Sequence, residues 1–108
     1  MPKTPIEHLP IVDTHQHLWD LKRFRPPWLS DPAVAKIRKP STQAEYARAT
    51  SGLNVVKTVY MEVDVAADQK DDEAKWACAL GPAVVGGDPA ADGFAAYLDR
   101  IVHPNLKG

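Results

Sequence analysis

The stretch LNVVKTVYMEVDV, residues 53–65, decides the fold class because it carries the strongest strand signal in the chain. It is rich in Val and follows Gly52, a composition and a boundary typical of a β-strand. We therefore predict a strand over residues 55–63. Two further strands are predicted on either side of it, one in IVDTHQH (residues 11–17) and a short one in AVVGGDP (residues 83–89).

Helix signals alternate with these strands. Thr42 and Glu45 have the spacing of a capping box, which predicts a helix over residues 42–50. Acidic residues open a second helix, predicted over residues 68–80, where they are favourable beside the positive end of the helix dipole. Asp92 is predicted to cap a third helix, in which apolar residues repeat with helical spacing. The expected buried face of that helix consists of Phe94, Tyr97, Leu98, Ile101 and Val102.

Two segments fall outside this alternation. Residues 18–40 have no sustained period and contain several prolines, so we predict a long loop with a short helical turn near residues 31–37. Residues 105–108 are expected to begin a further element that the chain does not contain. The aromatic residues of the loop either pin it to its own scaffold or face a substrate as part of a lid; they are Trp19, Phe24 and Trp28.

The order of the elements predicts an α/β fold. Strands that alternate with helices form right-handed βαβ units and a parallel sheet. Ligands of such sheets bind at the C-terminal ends of the strands. Side chains at those ends are therefore the candidates for function.

The composition of the chain argues against several classes of partner and site. The chain has 108 residues, the size of one domain, and 13 basic against 14 acidic residues give a net charge of -1, which disfavours binding to nucleic acid or to an anionic membrane. Cys78 is the only cysteine, so an internal disulfide and a cysteine-based zinc site are excluded. Residues 1–10 lack the pattern of a signal peptide, and no apolar run approaches the roughly 18 residues of a membrane span. We expect a soluble, cytoplasmic protein.

His15 and His17 are the first candidates for chemistry. Strand side chains alternate between faces, so these two histidines and Asp13 are predicted to share one face near the end of the first strand. Imidazole binds zinc, iron or nickel, and a catalytic zinc needs three protein ligands with an open position for water. The pair supplies part of such a site. Solvent-facing or hydrogen-bonded structural histidines are the alternative interpretation.

Glu62 and Asp64 are the second candidates, at the end of the second strand. A carboxylate there could coordinate a metal, polarise a bound water or bind a substrate hydroxyl. The alternative is that both acids are solvated at a strand exit and have no chemical role.

Four segments together resemble a known family: VDTHQHLWD, NVVKTVYMEVDV, DGFAAYLDR and HPNLKG. They are similar to the N-terminal part of the amidohydrolase-related hydrolases, in the branch of L-fuconolactonase-like and 2-pyrone-4,6-dicarboxylate lactonase-like enzymes. The resemblance implies a partial (β/α)8 TIM barrel, about the first three βα units, with residues 1–108 as a single incomplete domain. It implies that His15 and His17 are ligands of a divalent metal, with zinc as the first candidate. It also implies that Glu62 is a catalytic residue near the site. Some lactonases of this branch work without a metal.

Two functions follow as hypotheses. In the first, the chain is the N-terminal portion of a hydrolase in which activated water opens a small-molecule lactone, with His15 and His17 as ligands or as stabilisers of the developing oxyanion. Barrels of this kind need about 250 residues, so the isolated chain is expected to be inactive. In the second, it is a non-catalytic truncated or split-gene fragment that forms a homo-oligomer or complements a partner, because a short parallel sheet exposes its edges. A small metal-binding module is a third possibility.

Overall fold

The computed structural model describes residues 5–108. The first four residues of segment 1–10, for which the sequence predicts no signal peptide, lie outside that range. Three strands form one parallel sheet in the order β1-β2-β3. Strand β1 is Pro10–Gln16, β2 is Asn54–Met61 and β3 is Ala83–Val84. The predicted α/β class with a parallel sheet is therefore confirmed, although β2 ends two residues before the predicted limit.

Residues 105–108 continue the sheet beyond β3. The Ala83 N–H donates to the Asn105 carbonyl (2.9 Å), and the Lys107 N–H donates to the Ala83 carbonyl (2.9 Å). The Val85 N–H donates to the Gly108 carbonyl (3.0 Å), and Leu106 forms a parallel bridge with Ala83. Residues 105–108, which were expected to begin a further element, thus pair with β3 as its neighbour in the sheet.

Three α-helices connect or follow the strands: α1 is Gln43–Ala49, α2 is Lys70–Leu80 and α3 is Phe94–Arg100. The predicted capping box of α1 is present, with the Glu45 carboxylate accepting hydrogen bonds from the N–H (2.7 Å) and the hydroxyl of Thr42. These bonds lower the pKa of Glu45 to about 2. The start of the predicted second helix is instead a 3-10 turn, Ala67–Gln69, which leads into α2.

The third helix differs from its prediction at both ends. Its N-cap is Gly93 and not Asp92, and no side-chain cap forms there. Tyr97 and the C-cap residue Ile101 are buried as expected, but Leu98 is 40% exposed and Val102 is 77% exposed. The helix ends at Arg100, so the last predicted position of the apolar face lies outside it.

The core lies between the sheet, α2 and the long loop. Trp76 packs against two of its clusters and so connects the sheet to the loop. Cys78 is buried, as a small core thiol should be. The buried members of the three clusters are Leu18, Tyr60, Ala77, Cys78 and Ala83; Phe24, Val63 and Val65; and Ala74, Tyr97 and Ile101.

The dimensions indicate two layers. The smallest extent of the molecule is 21 Å, which fits one sheet and one layer of helices at about 10 Å each. The radius of gyration is 16.2 Å, larger than the ~13 Å of a compact domain of about 100 residues. Among residues 5–108, no helix combines the length and apolarity needed to cross a membrane.

Candidate functional site

The two histidines lie side by side at the end of β1. Their ring centroids are 4.7 Å apart and the ring planes meet at 81°. Nδ1 of His17 lies 3.2 Å from the Met61 carbonyl oxygen at the end of β2. A carbonyl oxygen only accepts, so Nδ1 carries the hydrogen of this bond, and Nε2 holds the lone pair in the neutral form of the ring. Both side chains are exposed, and the structure therefore brings together the two predicted metal ligands.

Asp13 does not join them, and its predicted place on the same face is wrong. Asp13 pairs with Thr58 and Gln16 pairs with Tyr60, so β1 has one residue more than β2 across this interval. Such a β-bulge reverses the alternation of faces. Oδ2 of Asp13 instead accepts a hydrogen bond from the Tyr46 hydroxyl of α1 (2.7 Å), and this bond lowers the pKa of the Asp13 carboxyl.

Glu62 and Asp64 follow β2 directly, as predicted. Oε2 of Glu62 accepts a hydrogen bond from the Asp64 N–H (2.6 Å). A Cβ on Gly86 would lie 3.2 Å from the same oxygen, so the Glu62 carboxylate points toward the end of β3. Asp64 has a φ of 50° and pairs with Lys70 Nζ at 2.9 Å. Both acids are therefore held by neighbours of their own chain.

A groove at the ends of β1 and β2 brings His17 and Glu62 to one surface. Its volume is about 350 Å³, within the range of small-molecule sites. Its lining residues are His17, Trp19, Trp28, Ile37, Glu62, Val63 and Asp64. Within residues 5–108, however, no three His, Cys, Asp or Glu side chains converge closely enough to hold a metal ion. The histidine pair therefore has no third candidate ligand beside it in this range.

The long loop after β1 is fixed in place, and it also contributes to this groove. The side chain of Gln69 accepts from the Arg25 N–H (2.7 Å) and donates to the Arg23 carbonyl (2.9 Å). Phe24 is buried against Val63 and other residues that follow β2. Trp19 and Trp28 line the groove, and a substrate-facing role for them stays a prediction, whereas Phe24 pins the loop to its own scaffold.

Glu73 is the buried acid that sequence reasoning missed. It is 1% exposed, and its Oε2 accepts from the Tyr60 hydroxyl (2.8 Å) and from the Val63 N–H (3.1 Å). Oε1 is buried without a hydrogen-bond partner among the described residues. Burial raises the pKa of Glu73, and burial together with the Glu73 charge raises that of Tyr60. The signal that could have found it is its spacing from Ala77, one turn along the buried face of α2.

Comparison with known proteins finds a likeness to a solved structure. No protein-family model matches the chain, and no curated protein matches it at a significant level. A solved structure, amidohydrolase 2 from Bifidobacterium longum subsp. infantis, superimposes with a TM-score of 0.60 and 25% sequence identity. The likeness covers 74% of this chain and 34% of the other, so the chain spans about a third of that protein. It supports the amidohydrolase resemblance of the sequence and agrees with the mixed α/β fold.

Proposed function

We propose that this chain forms the N-terminal portion of an amidohydrolase-like hydrolase that opens lactones. Its parallel sheet is then the first part of a (β/α)8 barrel, in which residues 1–108 make up one incomplete domain. The observation that carries the proposal is the histidine pair at the end of β1, with Nδ1 of His17 on the Met61 carbonyl. The likeness to amidohydrolase 2 supports the same assignment.

The histidine pair has the donor chemistry of half a zinc site. A metal-binding histidine typically donates its second N–H to a carbonyl or a carboxylate, and His17 does so. A catalytic zinc needs a third protein ligand, which the described residues do not bring to this place. His15 and His17 would hold the ion, and a divalent metal bound there would supply Lewis-acid activation of water.

The neighbouring residues would prepare the substrate and the water. We assign a catalytic role to Glu62 because its side chain lines the same groove as His17. Glu62 also accepts the Asp64 N–H, which fixes the direction of its carboxylate. As ligands of a bound metal, His15 and His17 would place its positive charge beside the negative charge that develops on the attacked carbonyl oxygen.

A zinc titration followed by histidine NMR tests this assignment. We expect zinc to shift the ring signals of His15 and His17, and His15→Ala to abolish the shift of His17. His103→Ala is the matched control, since His103 is exposed at the end of α3 and outside the groove. Zinc shifts that do not depend on His15 would contradict the proposed site.

The activity of the isolated chain is a separate test. Two ligands hold a metal less firmly than three, so we expect no hydrolysis of lactones by the purified chain with zinc added. Hydrolysis that His15→Ala abolishes would show that the described residues suffice, and it would overturn the expected inactivity.

Self-association or complementation is the second candidate function, and the exposed sheet favours it. Val12 of β1 and Val56 of β2 are 54% and 58% exposed, although strand valines are usually covered. The radius of gyration, which exceeds that of a compact domain of this size, also favours self-association. We expect sizing chromatography to show oligomers that Val56→Lys disrupts and Val102→Lys does not. A monomer at all concentrations, with slowly exchanging amides on β1, would contradict this candidate.

A further inference from the structure

Two tryptophans form a right-angled corner in the groove at the ends of β1 and β2. The ring centroids of Trp19 and Trp28 are 5.7 Å apart, and the ring planes meet at 88°. Both rings line the groove, beside Ile37 and Val63. The corner therefore offers two aromatic surfaces to whatever enters the groove.

The polar edges of both indole rings are already engaged. Nε1 of Trp19 donates to the Lys39 carbonyl (2.7 Å), and Nε1 of Trp28 donates to the Val63 carbonyl (2.7 Å). The backbone of Trp19 also exchanges two hydrogen bonds with Ser41, at 2.8 and 2.9 Å. The rings are thus held before any ligand binds, which lowers the entropic cost of binding. What they present to the groove is apolar ring surface.

The acidic side chains beside the corner are already bonded within the chain. Oε2 of Glu62 accepts the Asp64 N–H at 2.6 Å, and Asp64 is paired with Lys70 at 2.9 Å. Nδ1 of His17 is engaged by the Met61 carbonyl, so the polar atoms that remain at this end of the groove are Nε2 of His17 and the second carboxylate oxygens of Glu62 and Asp64. The rest of the lining is apolar, so hydroxyl groups placed against it would lose their hydration without compensation; it consists of Trp19, Trp28, Ile37 and Val63.

We propose that Trp19 and Trp28 form a subsite for an uncharged, flat ring carried by the substrate. The inference rests on the proposed function, because it places the reacting carbonyl of a lactone next to His17 and the ring of the same molecule against the tryptophans. Aromatic rings pack face to face with an offset or edge to face, and a right-angled corner offers both contacts to one ring. The volume of about 350 Å³ suits a molecule of one or two rings.

The probe for this subsite is 3,4-dihydrocoumarin, a lactone fused to a benzene ring, and the comparison ligand is gluconolactone, a polyhydroxylated lactone of similar size. We expect dihydrocoumarin to shift the indole N–H signals of Trp19 and Trp28 in NMR spectra. Trp76, which packs in the core against Phe24 and Tyr60, is the internal control and should not shift. Gluconolactone should bind at least about fivefold more weakly, a ratio that corresponds to the free energy of one aromatic contact.

Substitutions at an exposed position avoid the risk that a tryptophan variant fails to fold. Ile37 lines the groove and is 42% exposed, so Ile37→Asp should fold and weaken dihydrocoumarin binding about fivefold or more. Val102→Asp, at a residue outside the groove that is 77% exposed, should leave binding unchanged. Equal affinity for the two lactones, or equal effects of the two substitutions, would overturn the subsite.

The outcome for the subsite is independent of the outcome for the hydrolase. Dihydrocoumarin binding is read from the tryptophan signals and needs neither metal nor turnover. If zinc fails to shift His15 and His17 while the ring still binds, the proposed metal site is wrong and the subsite stands. If zinc binds at the histidines and the tryptophan signals do not respond to the ring, the subsite is wrong and the proposed hydrolase stands.

Discussion

The hydrogen bond between Tyr60 and Glu73 should make an unusually large contribution to the stability of this fold. Tyr60 is 3% exposed and Glu73 is 1% exposed, and the hydroxyl lies 2.8 Å from Oε2. Tyr60→Phe removes this donor and leaves Oε2 with the Val63 N–H alone. A buried hydrogen bond to a charged group contributes about 1.5–3 kcal/mol, so we expect a loss of about 2 kcal/mol in the free energy of unfolding.

Tyr97→Phe is the matched control for this substitution. The Tyr97 hydroxyl donates to the Gly86 carbonyl, an uncharged acceptor, and such a bond contributes about 1 kcal/mol. Urea unfolding followed by circular dichroism should show the larger loss for Tyr60→Phe. In thermal unfolding, a loss of about 2 kcal/mol corresponds to a decrease in Tm of about 10 °C for a domain of this size.

The pH dependence gives a sharper test of the same bond. The Tyr60 hydroxyl lowers the pKa of Glu73 in the folded protein against the stronger effect of burial, so its removal raises that pKa further. The cost of Tyr60→Phe should therefore grow as the pH rises through the pKa of Glu73 in the folded state, and it should shrink at lower pH. A cost that equals that of Tyr97→Phe, or that does not change with pH, would refute this account.

Three further predictions concern Glu73, Glu45 and Gly87. Because burial raises the pKa of Glu73 in the folded state, stability should fall as the pH rises from about 4.5 through that raised value, and Glu73→Gln should flatten the fall in urea midpoints. Glu45→Gln should lower Tm at neutral pH, and the difference should vanish as the pH falls from about 4.5 to about 2, where wild-type Glu45 loses its charge. Gly87→Ala would place a Cβ 2.9 Å from the Phe94 ring and should cost about 1 kcal/mol in urea unfolding, whereas Gly93→Ala, with nothing within 4 Å, should not.

The elements with strong local signals could be predicted from the sequence. The capping box of Thr42 and Glu45 acts within one helical turn, so the start of α1 follows from neighbouring residues alone. The strand after Gly52 follows from its run of β-branched residues. In the third helix the local signal misled, because Leu98 and Val102 fit the helical period but no element within residues 5–108 covers them.

The features that sequence reasoning missed depend on contacts between distant residues. The bulge that separates Asp13 from the histidines arises from pairing with β2, which a period of two cannot reveal. Glu73 is buried because Tyr60 and the Val63 N–H meet it from another element. In the aromatic corner, the backbone carbonyls of Lys39 and Val63 hold the two indole rings. No sequence pattern identifies either residue as such a partner.

The bulge in β1 also means that one residue of this strand has no pairing partner in β2. Between Asp13 and Gln16 the strand contains one residue more than its partner, and Thr14 is exposed there. Deletion of Thr14 would restore alternation between Asp13 and Gln16, while Asp13 stayed toward α1 and the histidines stayed toward the groove. Related sequences could therefore differ in length at this point and keep the same arrangement, so an alignment that forces equal spacing between the aspartate and the histidines would misplace one of them.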